Sequence, residues 1–200
     1  IYSALHPENV KNMILHATPT DFGKSPTVLE SCIKSIDIIR FVQIFGNVPS
    51  FFLNIAFLMR NPLEAALKYQ FHFSKPRSIK EIRQFIAVES WLYDSVPIIG
   101  KVFEQIINDI YKDNLLIQNK MMLGKDLVDL KKITMPVLNI VGTRDDLVSA
   151  DSSRTITDVI STKDKKTLEF PTGHVGLCIS RSAHKNLWPE VGKWLTEHSV

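Results

Sequence analysis

Apolar residues run unbroken through "PVLNIVG" (136–142). A run of that length marks a parallel strand covered on both faces. "VKNMILHAT" (10–18) alternates loosely, then turns apolar, and reads as a second buried strand, with "TLEF" (167–170) as a third. Over 23–125 the spacing changes to that of a helix: Ile36, Ile39, Phe41, Ile44 and Phe45 recur, then Phe103, Ile106, Ile107 and Ile110. Pro26, Pro49, Pro62, Pro76 and Pro97 punctuate this block, which predicts about five short helices and no strand. "IYSALH" reads as the end of a helix stopped at Pro7. Asp151, Ser152 and Ser153 mark a helix start after the 136–142 strand, and "HKNLWPEVGKWLTEH" (184–198) is a terminal amphipathic helix. The expected fold class is α/β: the second half of a doubly wound, mostly parallel sheet with an inserted helical cap. The core segments are expected at 1–22 and 126–200, with the cap at 23–125.

Composition narrows the function classes. The 200 residues are 44% hydrophobic and 22% charged, as in a globular domain. Net charge is +3, and the lysines and arginines are scattered without interleaved aromatics, so nucleic acid is not an expected partner. Cys32 and Cys178 give neither a disulfide framework nor metal-ligand spacing, so a reducing compartment is the default. "FFLNIAFLM" (51–59) falls short of the ~20 residues of a spanning helix. The histidines His6, His16, His72, His184 and His198 have no partner spacing, and no metal is expected. His16 ends the first strand, where it either lines the site or, on the plainer reading, is a core or rim histidine. Ile1 opens in what reads as mid-helix, so the chain is expected to be the C-terminal part of a longer one.

In open α/β sheets, ligands and catalytic groups sit just beyond the carboxyl ends of strands. Asp145 lies three residues past Gly142, and His174, in "EFPTGHVGLC", four past Phe170. An acid after one strand and a histidine after the next form the acid–base half of a nucleophilic triad, in the order this architecture uses. Each residue alone also fits a plainer role, Asp145 as a turn residue and His174 in a tight glycine turn. Asp146 competes for the acid's role. No G-x-S-x-G or G-x-C-x-G elbow occurs in the chain. Cys32 and Cys178 lack that context and are expected to be small buried hydrophobes.

"YSALHPENVKN" (2–12), "TPTDF" (18–22), "VESWLYDS" (88–95), "DLKKITMPVLNI" (129–140), "DDLVSADSSR" (145–154), "FPTGHVG" (170–176) and "GKWL" (192–195) together resemble the catalytic subunit of class III poly(3-hydroxyalkanoate) synthases. The resemblance runs over the whole chain and implies an α/β-hydrolase fold. By position, Asp145 takes that family's catalytic aspartate and His174 its catalytic histidine. The nucleophilic cysteine would lie upstream of Ile1. Asp146 stands where the family usually has His, and Ser149 where it has Pro. The implied activity is polymerisation of (R)-3-hydroxyacyl-coenzyme A into polyester, with release of coenzyme A and no cofactor. Also implied are a cap that covers the site, a homodimer formed through it, a second synthase subunit, and a cytoplasmic location at the surface of polyester granules. Two competing functions are an esterase or depolymerase with a Ser nucleophile, and a non-catalytic interaction module.

Overall fold

The computed structural model describes residues 1–24, 28–60 and 62–199, so Pro26 lies outside it. The chain divides into two compact units, Ile1–Ser31 with Asn108–Val200, and Cys32–Ile107.

The first unit is built on three parallel strands in the order β1–β4–β5: β1 (Met13–His16), β4 (Val137–Gly142) and β5 (Lys165–Phe170). Every residue of β4 is buried, as its apolar run requires. Successive side chains of a strand point to opposite faces. Val137 joins a core with Ala4, Val128, Ile156 and Ile160, while Leu138 and Ile140 join Leu177, Leu187, Val191 and Trp194. Fully burying one such aliphatic side chain contributes about 1.5–3 kcal/mol. Helices α1 (Tyr2–Leu5), α8 (Ala150–Arg154) and α9 (Ile156–Val159) supply or flank the first face, and α10 (His174–Ile179) and α11 (Trp188–His198) the second. The start of α8 is one turn earlier than its serines suggest. Ser149 is the N-cap, its hydroxyl accepting from Ser152 N at 3.1 Å.

Residues 108–125 belong to this sheet unit, so the compact helical unit is narrower than 23–125. Ile110, Leu115, Leu116 and Ile117 pack on the Val137 side of the core. The segment also ends in a strand, contrary to the expectation of none. β2 (Met122–Leu123) pairs antiparallel with β3 (Asp126–Leu127) around Gly124, whose φ of +63° is a backbone state glycine adopts without strain. Asn114 closes the neck where the chain leaves and returns. Its Oδ1 accepts from Phe22 N at 3.0 Å and its Nδ2 donates to Asp21 Oδ1 at 2.8 Å, with Phe22 and Tyr111 rings 4.4 Å apart.

The second unit is helical: the last three residues of α2 (Val28–Lys34), then α3 (Ile38–Phe45), α4 (Ser50–Arg60), α5 (Pro62–Phe73), α6 (Ile79–Tyr93) and α7 (Gly100–Gln105). Pro62 is the first residue of α5, where its missing N–H costs nothing. Ser78 and Glu81 form a reciprocal capping box on α6. Glu89 of α6 binds Lys68 and Tyr69 of α5 at 2.7 and 2.6 Å. Phe41, Phe45 and Phe52 interlock with ring centroids 4.8–5.1 Å apart.

Candidate active site

The β4–β5 ladder pairs Gly142 with Phe170, and hydrogen bonding continues past it. Thr143 N donates to Phe170 O at 3.0 Å and Arg144 N to Thr172 O at 3.2 Å. The loops after the two strands therefore run side by side, which brings the residues at their far ends together. Glycine at 142 permits the approach, since a Cβ there would lie 2.9 Å from Thr172 O.

At that corner His174 Nδ1 stands 2.8 Å from Asp145 Oδ2. The other carboxylate oxygen, Oδ1, accepts from Leu147 N and Val148 N, both at 2.9 Å, an Asx-type turn that locks the carboxylate. Burial, the largest single influence on Asp145, would raise its pKa. The hydrogen bonds from His174, Val148 and Leu147 and the charge of His174 outweigh it, and the carboxyl is held below its ordinary range. Asp145 is thus an anion with its side chain only 1% exposed, facing an imidazole that is 32% exposed. With the acid ionised, His174 Nδ1–H donates to it, which fixes the tautomer and leaves Nε2 as the nitrogen able to accept a proton.

The two residues singled out from the sequence are therefore in direct contact, and Asp146, which is exposed, is not the imidazole's partner. His174 is not in a loop as expected; it is the first residue of α10, after Gly173 as N-cap. Both cysteines are exposed, contrary to the expectation of burial. Cys178 follows the inward-facing Leu177 on a short helix, and so turns off the core face. His16 lies at the rim, its Nε2 3.8 Å from Cys178 Sγ. Neither periodicity nor spacing pointed to that contact, because 162 residues separate the two. Among the described residues no group of three or more His, Cys, Asp or Glu is placed to hold a metal, and no helix is long and apolar enough to cross a membrane.

A family model described as serine hydrolase (FSH1) matches residues 104–175. Over 198 residues the chain is 37% identical to the poly(3-hydroxyalkanoate) polymerase subunit PhaC of Allochromatium vinosum, an alignment covering 98% of this chain and 56% of that protein. It is 36% identical over 206 residues to the PhaC subunit of Haloarcula marismortui, covering 100% of this chain and 43% of that one. The chain spans about half the length of the curated relatives it matches. Among solved structures, the crystal structure of a Paleococcus ferrophilus monoacylglycerol lipase superposes with a TM-score of 0.50 at 18% identity, covering 98% of this chain and 63% of that one. The fold is that of the α/β-hydrolases, here three parallel strands with an inserted helical unit. By sequence, the chain is a relative of the poly(3-hydroxyalkanoate) polymerase subunits PhaC along its whole length.

Proposed function

We propose that this chain supplies the acid–base half of a poly(3-hydroxyalkanoate) polymerase, an acyltransferase that joins (R)-3-hydroxyacyl groups from coenzyme A thioesters into polyester. The observation that carries the proposal is the 2.8 Å contact between Asp145 and His174 in a relative of PhaC subunits. The nucleophile is a cysteine from outside these 200 residues. A thiol with a pKa near ~8.5 is mostly protonated at neutrality and needs a base. His174 Nε2 takes the thiol proton, and the thiolate attacks the thioester carbonyl. Coenzyme A leaves as a thiolate and recovers that proton from the imidazolium. In the second half-reaction His174 takes the proton of a 3-hydroxyl, whose oxygen displaces the cysteine sulfur and forms the ester. Asp145 stabilises the imidazolium in both steps, and no cofactor takes part.

The same proposal includes a homodimer formed through the helical unit, a second synthase subunit, and a cytoplasmic place at the polyester granule surface. Large apolar side chains on that unit support a partner: Phe71, Phe73 and Trp91 are each more than 60% exposed.

A hydrolase with a serine nucleophile is the second reading, favoured by the serine hydrolase match over 104–175. The test is to give the full-length protein (R)-3-hydroxybutyryl-coenzyme A and follow both free thiol and acyl product. Polymer bound through a cysteine thioester is the expected result. Free 3-hydroxy acid with no polymer establishes the hydrolase instead, and no release of coenzyme A overturns the polymerase reading.

A further inference from the structure

The structure brings a second imidazole to the corner that holds His174. His16 is the last residue of β1 and pairs in register with Ile140, two residues short of the end of β4. Its ring stacks on the Trp188 indole, with centroids 5.7 Å apart and planes at 19°. At the ring edge, Nε2 meets the Cys178 thiol at 3.8 Å, and Cys178 lies one helical turn beyond His174 in α10. Trp188 Nε1–H also donates to Leu177 O at 3.1 Å. One indole therefore holds both the His16 ring and the backbone of the helix that begins with His174.

The backbone after His16 is also constrained. Ala17 is buried, its N–H donates to Ile140 O at 2.9 Å, and its φ of +44° is one that non-glycine residues rarely adopt. Strain of this kind persists where the surroundings over-determine it, and such places cluster at functional sites.

We propose that His16 is a positioning residue for His174: its imidazole, in contact with both Trp188 and Cys178, holds α10 and with it the proton-transferring ring. The proposal rests on the polymerase reading above. The titratable groups that bear on His16 are His174 and Cys178 from α10 and Asp145 from the loop after β4. Burial first, and the charge of His174 second, lower the proton affinity of His16; Asp145 and a backbone hydrogen bond oppose them. A neutral ring accepts the Cys178 S–H at Nε2. It also leaves His174 to become the cation when it takes the nucleophile's proton, with no second positive charge beside it.

The test uses the full-length protein with isotope-labelled histidine. His16 ring signals titrate with a midpoint below the ordinary imidazole value of ~6.5, and His174→Gln moves that midpoint up by removing the neighbouring charge. His16→Phe keeps a plate against Trp188 but loses Nε2. Its turnover falls about ten- to a hundredfold at unchanged KM, in line with the ~10²-fold cost of a ~1 Å misplacement. A His16 midpoint indifferent to His174→Gln, or full turnover in His16→Phe, overturns the proposal. Coenzyme A release by the unaltered protein separates the two failures. If it is absent, the polymerase reading falls and takes the positioning role with it, whatever the titration shows. If it is present and the rings are uncoupled, only the positioning role falls.

Discussion

Asp145 turns one carboxylate oxygen to His174 and keeps the other for its own loop. Both ends of the group must therefore be acceptors. In Asp145→Asn one end becomes a donor. If the amide oxygen stays on Leu147 and Val148, the NH₂ faces Nδ1 and selects the tautomer whose Nε2 is already protonated. We expect coenzyme A release by the full-length protein to fall by about 10²–10⁴-fold in both Asp145→Asn and His174→Gln, the usual worth of a general base. Asp146→Asn leaves the rate within about twofold, because Asp146 does not hold the ring. Circular dichroism serves as the folding control, and a crippled Asp146→Asn with an active Asp145→Asn would reverse the assignment.

The same carboxylate makes stability depend on acid. Its folded pKa lies below the unfolded value of ~3.9. Its contribution is therefore complete above that value and is lost as pH falls through the folded one. Thermal midpoints of the full-length protein, measured from pH 6 down to pH 2.5, should converge with those of Asp145→Asn at the acid end. A gap that stays constant over that range contradicts the expected linkage.

His198 carries the opposite sign. Its Nδ1 lies 2.7 Å from Trp194 O, the ring stacks on Trp194, and Nε2 lies 3.2 Å from Asp164 Oδ2. The backbone hydrogen bond, then the Asp164 contacts, raise its pKa above the ordinary value. The protonated form thus stabilises below the unfolded pKa of ~6.5, and that contribution disappears as pH rises through the folded value. Compared with His198→Gln, the unaltered protein should lead in thermal midpoint at pH 5.5 and lose that lead by pH 8.5.

Two glycines should respond oppositely to the same added methyl. At Gly142 a Cβ meets the Thr172 carbonyl at 2.9 Å and Asp145 Cβ at 3.3 Å, so Gly142→Ala presses the two site loops apart. We expect a loss of about 1–3 kcal/mol in denaturant unfolding, and a fall in coenzyme A release beyond what that loss explains. Gly192, inside α11, has nothing within 4 Å of its added Cβ. Gly192→Ala should stabilise by about 0.5–1 kcal/mol and leave activity unchanged.

The legible parts of the fold were those where burial is two-sided or the chemistry sits at a strand end. Strand β4 was read within one residue of its bounds because none of its positions faces water. The Asp145–His174 pairing was legible because two parallel neighbours carry their loops to the same end. β5 was found without its first two residues, since Lys165 and Lys166 stay solvated and blur the alternation. The two-residue strands β2 and β3 left no period long enough to read, and the π-helical turns at Ile106–Lys112 and Ala183–Leu187 read as ordinary helix, because a single π turn leaves the apolar spacing nearly unchanged. His16 and Cys178 were each visible as residues, but their meeting depends on the packing of β1 against α10, which no local pattern encodes.

The clasp at Asn114 has a consequence for how this chain tolerates change. Phe22 and Asn114 meet within 3.0 Å, so the whole intervening stretch begins and ends at one point of the sheet unit. Loop closure depends only weakly on length, so shortening or lengthening what lies between costs the sheet little so long as the neck holds. Asp145 and His174 both lie on the sheet side of that point. Changes of length inside Cys32–Ile107 therefore leave the strand ends that carry Asp145 and His174 where they are.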